Sequence, residues 1–201
     1  MQSETLITGI GGQGIQLAAR TLALGALRSG REVQYTSEVG GEMRGGVSTA
    51  TLVVGTSRLR ALPVVPTAGS LVAMHDRYWP SLSRRIRPGG VVMINSTLWE
   101  APRPEGFQVV EIPATRHALD TGAPMTASLV IIGAFAALTG LAPVEALCAA
   151  MESSIPAYRR QSVAANLAAI RFGASLVAPL PEPLLPPTGT GAPNETTVVG
   201  A

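Results

Sequence analysis

The strongest constraint on the fold is a glycine-rich turn near the amino terminus, between an apolar run and a segment of helical periodicity. Residues 5–8 form a short β-prone run, and apolar side chains recur at mixed spacings of three and four over residues 15–28. This order predicts a strand, a turn and a helix. The G-x-G-x-x-G pattern lets backbone N–H groups at the helix start approach a phosphate, or lets the helix pack closely on the strand, and both interpretations stay open. The turn consists of Gly9, Ile10, Gly11, Gly12, Gln13 and Gly14.

Segments further along the chain predict more strands and then a series of helices. Residues 32–37 predict a second strand, which completes a β-α-β unit with the first. Further strands are predicted at residues 47–54, 70–74, 91–95 and 109–112, and helices at residues 78–86, 128–139, 143–153 and 157–172, with Gly173 closing the last one. A hairpin turn predicted at residues 55–58 makes the sheet mixed. We therefore expect an α/β fold, a three-layer αβα sandwich around a mostly parallel, mixed sheet with a Rossmann-like start.

The length of the chain predicts one folded domain followed by a tail. A chain of 201 residues is long enough to bury a substantial α/β core, and we assign that domain to residues 1–178. Residues 179–201 contain six prolines in 23 positions and almost no aromatic or charged side chains. Such a segment buries too little surface to offset its ordering entropy, so the proline-rich tail is predicted to be disordered.

Composition narrows the possible partners and locations. Hydrophobic residues make up 46% of the chain and charged residues 14%, which indicates that part of the surface is covered by other subunits. The basic residues are scattered arginines without interleaved aromatics, so nucleic-acid binding is not expected. The longest apolar stretch, residues 129–138, is half the length of a membrane span, and the amino terminus does not resemble a signal peptide. We expect a cytoplasmic protein with no membrane contact.

Several kinds of catalytic chemistry are disfavoured by the residue inventory. All 15 basic residues are arginine, which excludes Schiff-base chemistry and the lysine of a Walker loop. Cys148 is the only cysteine and cannot alone ligate an iron-sulfur cluster or structural zinc. His75 and His117, the only histidines, lack ligand-spaced partners apart from the adjacent Asp76, which favours packing over catalysis. No catalytic or metal-binding residue is predicted.

A second glycine-rich segment combines an acidic and a basic side chain. An arginine in a glycine frame can bind a carboxylate or phosphate through two N–H groups, and Glu42 either orients Arg44 or contacts a neighbouring subunit. The alternative is an internal ion pair that shapes a tight loop. The segment comprises Gly40, Gly41, Glu42, Met43, Arg44, Gly45, Gly46, Val47 and Ser48.

The order and spacing of these motifs resemble the gamma subunit, or gamma domain, of the pyruvate and 2-oxoacid:ferredoxin oxidoreductases. The resemblance begins at the two glycine segments and continues through most of the chain. It is carried by Gly12 to Gly14, the loop from Glu42 to Gly46, Ser48, Pro63, residues 71–74, the Pro88-Gly89-Gly90 turn, Asn95 and residues 166–173.

The resemblance implies a complex that decarboxylates a 2-oxoacid on thiamine diphosphate, transfers the acyl group to coenzyme A and passes electrons through iron-sulfur clusters. Alpha, beta and delta subunits would hold most of these groups, and ferredoxin or a similar protein would accept the electrons. This chain would be a non-catalytic partner beside the active site, inactive when isolated. The expected cofactor-binding residues are Gly9, Gly11, Gly12, Gln13, Gly14, Glu42, Arg44, Gly45, Gly46 and Ser48.

Two alternative functions are consistent with the same glycine turn. A stand-alone NAD-binding oxidoreductase would use the glycine turn together with Glu38, an acidic residue near the end of the second predicted strand. A plain interaction module would keep the turn without using it to bind a ligand.

Overall fold

The fold is a computed structural model that describes residues 1–40, 45–59 and 65–186. The strands are β1 (Gln2–Ile10), β2 (Glu32–Val39), β3 (Val47–Gly55), β4 (Ala68–Ala73), β5 (Ile86–Asn95) and β6 (Gln108–Ile112). The α-helices are α1 (Ile15–Arg28), α2 (Trp79–Leu82), α3 (Ala114–Asp120), α4 (Ala127–Thr139), α5 (Val144–Ser154) and α6 (Val163–Ser175). Short 3₁₀ turns lie at Asp76–Tyr78, Ser83–Arg85, Pro124–Thr126 and Ala157–Ser162. The α/β class and the mixed sheet are confirmed.

The six strands form one sheet in the order β2-β3-β1-β4-β5-β6. Strands β1, β4, β5 and β6 are parallel, whereas β3 is antiparallel to both β1 and β2. The first β-α-β unit is therefore split, because β3 lies between its two strands. The hairpin predicted at residues 55–58 is wrong. β3 pairs with the preceding strand β2, and the chain after Gly55 continues to β4 on the other side of β1.

The two faces of the sheet are covered unequally. Side chains such as Leu52, Val72 and Met93 pack against the long helices in the larger core. On the opposite face Leu71 and Val92 pack with half-buried aromatic side chains. Within the described residues, the helix that covers this face is the short α2 with its flanking 3₁₀ turns. The third layer of the expected sandwich is therefore thin, and residues 76–85 form its helical part.

Helices α4 and α6 cross at a contact made by two glycines. A Cβ on Gly133 would overlap the carbonyl of Ile170, and a Cβ on Gly173 would overlap the carbonyl of Val130. The prediction that Gly173 closes the last helix is wrong, because α6 continues to Ser175. Gly173 serves close helix packing instead. No helix in the described ranges has the length and hydropathy to cross a bilayer.

The first part of the proline-rich segment packs on the domain. The Leu180 and Leu184 N–H groups donate to the carbonyls of Leu138 and Thr139 at 2.8 and 3.0 Å, and Leu185 is fully buried. The prediction of disorder from residue 179 onward is therefore corrected for residues 179–186, because leucines between the prolines supply apolar surface. We call residues 179–186 the strap. The rest of the predicted tail lies outside the described residues.

Candidate functional site

The two glycine segments meet at the carboxyl end of β1. The Gly11 N–H donates to the Gly46 carbonyl at 2.8 Å, and the Gly40 N–H donates to the Val47 carbonyl at 2.8 Å. Because β3 is antiparallel to β1, Ile10 is paired with Val47, so both segments leave the sheet at the same edge. We call residues 9–14 with 45–48 the glycine edge. Gly41, Glu42, Met43 and Arg44 lie outside the described residues, so the predicted roles of Glu42 and Arg44 stay predictions.

Backbone hydrogen bonds and one side chain shape the first turn. The Gln13 N–H donates to the Ile10 carbonyl at 3.1 Å, and Gln13 Oε1 accepts the Ile10 N–H at 2.8 Å. Gly14 takes the N-cap position of α1 in the left-handed region, at φ 76°, and no side chain caps the helix there. The first turn of α1 therefore presents backbone N–H groups and the positive end of the helix dipole beside the glycine edge.

The glycines of this edge differ in how much space surrounds them. At Gly12, with φ 98°, a Cβ would meet nothing within 4 Å, and at Gly11 the nearest atom would be the Gly46 carbonyl oxygen at 3.5 Å. At Gly14 a Cβ would lie 2.7 Å from Ser128 Oγ, at the start of α4. Gly11 and Gly12 thus form an exposed backbone surface suited to a ligand or partner, whereas Gly14 serves packing.

Ser48 lies on β3, as predicted, and its role in cofactor binding stays a prediction. Its side chain is buried, and its Oγ accepts a hydrogen bond from Gln16 Nε2 at 3.1 Å. Tyr35 Oη donates to Gln16 Oε1 at 2.6 Å, so the amide of Gln16 joins β2, α1 and β3. Ser48 therefore helps to fix the glycine edge from its buried side. Gln16 and Tyr35 were not predicted, because a single glutamine in a helix gives no signal in the sequence.

A short turn after β4 supports the second glycine segment. Arg77 Nη1 and Tyr78 Oη approach the Gly45 carbonyl at 3.4 and 3.5 Å, which are long contacts for hydrogen bonds. The neighbouring Asp76 fixes the chain on its other side. Its Oδ2 accepts the N–H groups of Glu100 and Ala101 at 2.9 and 2.7 Å.

The environment of Asp76 favours its ionised form. Burial acts to raise the pKa of the Asp76 carboxyl, but the hydrogen bonds from Glu100 and Ala101, together with His75, outweigh it and hold the pKa below its usual value. His75 Nδ1 lies 2.8 Å from Asp76 Oδ1. This contact lies in the turn beside the glycine edge, and the packing role of His75 stays a prediction.

Acid–base or metal chemistry has few candidates here. Residues 9–14 and 45–48 contain no carboxylate, imidazole, thiol or amine side chain. Within the described ranges, no cluster of three or more His, Cys, Asp or Glu side chains could hold a metal ion. The chemistry available at the glycine edge is therefore hydrogen bonding by backbone N–H groups to an anion or a partner backbone.

The position of Glu38 does not support the NAD-binding alternative. Glu38 is paired with Thr49 on β3, and Thr49 is paired with Thr8 on β1, so a strand separates Glu38 from the glycine turn. Two strand spacings amount to about 10 Å. In a dinucleotide site the acidic residue ends the strand adjacent to the first. The inserted antiparallel strand β3 removes that arrangement.

Comparisons with known proteins agree with this architecture. The profile of the family described as Pyruvate ferredoxin/flavodoxin oxidoreductase matches residues 4–176. The 2-oxoglutarate synthase subunit KorC of Methanocaldococcus jannaschii is 31% identical over 160 residues, which cover 78% of this chain and 85% of that protein. The keto/oxoacid ferredoxin oxidoreductase gamma subunit from Geobacter sulfurreducens has a TM-score of 0.73 and 26% identity, covering 86% of this chain and 96% of that one.

One relative is much longer than this chain. The ketoisovalerate oxidoreductase subunit VorA of Methanothermobacter marburgensis is 31% identical over 137 residues, which cover 67% of this chain and 28% of that protein. The chain thus corresponds to one part of that longer polypeptide and to most of a separate KorC subunit.

Proposed function

Because the chain belongs to the pyruvate ferredoxin/flavodoxin oxidoreductase family, we propose that it is the gamma subunit of a thiamine-diphosphate-dependent 2-oxoacid:acceptor oxidoreductase complex. Alpha, beta and delta subunits of the same complex are its proposed partners, and ferredoxin or a similar protein is the proposed electron acceptor. The observation that carries the proposal is the continuous family match from residue 4 to residue 176.

The residues of this chain fit a non-catalytic role in such a complex. Thiamine diphosphate, coenzyme A and iron-sulfur clusters supply the decarboxylation, acyl-transfer and electron-transfer chemistry when bound to the complex. Cys148 is 3% exposed, and burial raises the pKa of its thiol, which disfavours the thiolate needed for cluster ligation. This chain would position partner subunits and complete their surfaces, and we place the complex in the cytoplasm.

We propose that the glycine edge faces a phosphate-bearing cofactor across a subunit boundary, with the phosphates of coenzyme A as the first candidate. Gly11 and Gly12 would admit the cofactor closely, and the first N–H groups of α1 would donate to a phosphate oxygen. Gln13 and Gly45 would hold the turn in shape through the contacts described above. Glu42, Arg44 and Gly46 would complete the binding loop.

The subunit role is tested by expressing this chain with and without its neighbouring genes. Affinity purification of the tagged chain is expected to yield larger thiamine-binding and cluster-binding polypeptides in fixed stoichiometry. Oxidation of 2-oxoacids, followed by reduction of ferredoxin or a viologen dye, is expected only in the assembled complex. Activity of the isolated chain, or a fully active complex that lacks it, would refute the proposal.

The cofactor role is tested by two matched substitutions in the assembled complex. Gly12→Ala and Gly30→Ala each introduce a methyl group at positive φ, at 98° and 81°, with no atom within 4 Å of the new Cβ. Both should therefore cost similar stability. Only Gly12→Ala is expected to raise KM for coenzyme A, by about tenfold, or 1.4 kcal/mol of binding, while KM for the 2-oxoacid is unchanged. Equal KM values in the two variants would favour a plain interaction module.

A further inference from the structure

A buried arginine at the far end of α1 lies outside the proposed cofactor site. Arg31 directly precedes β2 and is 4% exposed. It forms no ion pair with any carboxylate in residues 1–40, 45–59 or 65–186. The 14 residues of α1 place it roughly 20 Å from the glycine edge, at 1.5 Å per residue.

The guanidinium of Arg31 is only partly satisfied. Its Nη2 donates to the carbonyls of Gly140 and Pro186 at 3.3 and 3.0 Å. Its Nε and Nη1 are buried and have no hydrogen-bond partner in the described part of the chain. Burial lowers the pKa of Arg31, yet an arginine keeps its proton in a protein. An unpaired, desolvated cation is costly, so an anionic partner would be strongly stabilised there.

A cavity of about 300 Å³ adjoins this side chain. Apart from the guanidinium its walls are mainly aliphatic, and they include Ala137, Ala142, Val144, Pro183 and Leu185. This volume is at the lower end of the range of small-molecule sites, roughly 300–1,000 Å³. The site thus combines one buried cation with a small, partly open and mainly apolar cavity.

We propose that this cavity binds a short-chain monocarboxylate. The carboxylate would accept hydrogen bonds from Nε and Nη1 of Arg31, and the aliphatic part would lie against Ala142, Val144 and Leu185. A phosphate fits less well, because the walls are apolar and the Gly140 and Pro186 carbonyls repel a second negative charge. Shielding from solvent strengthens the attraction between carboxylate and guanidinium.

The strap forms part of the cavity wall through Pro183 and Leu185. Nε and Nη1 of Arg31 are shielded from solvent, and Nη2 donates to the Pro186 carbonyl of the strap at 3.0 Å. The proposal therefore requires the strap to shift before a ligand contacts Nε and Nη1. The strap is held by the Leu180 and Leu184 N–H groups described above. Binding of a carboxylate is therefore coupled to the strap, and exchange of these two amides reports on it.

The test titrates the full chain with isobutyrate, using sodium chloride at equal ionic strength as the reference. Saturable stabilisation against thermal unfolding is expected, with a change in deuterium exchange at Leu180 and Leu184. Isobutyramide, the neutral analogue, is expected to have no effect. No saturable response to isobutyrate, an equal response to isobutyramide, or tighter binding of inorganic phosphate would overturn the proposal.

Three variants connect the response to the cavity. Arg31→Met is expected to weaken isobutyrate binding at least tenfold, whereas Arg20→Met, at an exposed position on α1, is expected to leave it unchanged. Ala137→Leu keeps the guanidinium and fills the half-buried wall, so it should also abolish binding. This third variant decides the matter if Arg31→Met does not fold, and unchanged binding in it would refute the site.

Discussion

Two regions of this protein use glycine for opposite purposes. At the glycine edge, Gly11 and Gly12 are exposed, and a Cβ on Gly12 would meet no atom within 4 Å. At the crossing of α4 and α6, Gly133 and Gly173 close the space completely, because each lies against a backbone carbonyl of the other helix. The difference shows that glycine content alone does not indicate a ligand site. The distance from a hypothetical Cβ to its neighbours separates the two roles.

The two regions also differ in what holds them. Backbone hydrogen bonds and the carboxylate of Asp76 fix the glycine edge and its surroundings. The helix crossing is held by packing, since α4 is almost wholly buried and contains no ionisable side chain. We therefore expect substitutions at the crossing to affect stability most, and substitutions or pH changes near the edge to act locally.

The largest effect is expected for Gly173→Ala. Helix propensity alone predicts stabilisation of about 1 kcal/mol from this change. The new methyl group would instead overlap the backbone of α4, so we expect a loss of about 3 kcal/mol or more, or a failure to fold. Chemical denaturation measures the free energy of unfolding. A stabilised variant would show that α4 and α6 separate easily, and that Gly133 and Gly173 are not needed for close packing.

Gly25→Ala provides the matched control for this prediction. Gly25 also lies within a helix, but its closest obstacle would be Leu147 Cδ1, at 2.6 Å, which belongs to a flexible side chain, while the nearest backbone atom, Leu147 Cα, would lie at 3.2 Å. Because that side chain can rotate, the loss of stability should be smaller than at Gly173. The order of the two losses distinguishes contact with a backbone from contact with a side chain.

A loss of about 2 kcal/mol is expected for Gly14→Ala, at the boundary between the two kinds of glycine. Positive φ and contact with Ser128 Oγ contribute together. Ser128→Ala should cost little by itself, because its buried hydroxyl has no hydrogen-bond partner in the described residues. A double-mutant cycle should therefore recover about 1 kcal/mol when both changes are combined. Strict additivity would assign the whole loss to the backbone conformation.

Local patterns predicted the elements better than their arrangement. The helix at residues 15–28 matches α1, because periodicity and the flanking glycines are local signals. The insertion of β3 between β1 and β2 could not be predicted, because strand order depends on pairings between residues far apart in sequence. The short helix α3 at Ala114–Asp120 was missed, since seven residues hold too little periodicity.

The same difference between local signals and long-range contacts applies to the candidate site. The sequence placed both glycine segments after strands. The antiparallel pairing of β1 with β3 brings the end of β1 and the start of β3 to one edge of the sheet. The buried position of Ser48 and its contact with Gln16 depend on which face of β3 meets α1, which the motif does not encode. The strap was predicted as disordered because composition was averaged over the whole tail, which conceals the leucines that pack.

The smallest expected effect concerns the polar support of the glycine edge. Asp76→Asn removes the negative charge of the carboxylate that accepts two backbone N–H groups. We expect the free energy of unfolding to fall by about 1–2 kcal/mol at neutral pH. The pKa of Asp76 is lowered in the folded state, so its stabilisation is complete above the unfolded pKa of about 3.9. It is lost as the pH falls through the lower folded pKa. The difference between wild type and variant should therefore shrink below about pH 4.

Urea unfolding at several pH values measures this difference, and deuterium exchange at Glu100 and Ala101 shows where it acts. Glu145→Gln is the control, because Arg171 also lowers the pKa of Glu145, but this ion pair is exposed on the helical layer. Exposed pairs contribute little, so Glu145→Gln should cost less than Asp76→Asn. If both variants lost stability equally, or if the Asp76 effect did not change with pH, the edge would depend on packing as the helix crossing does.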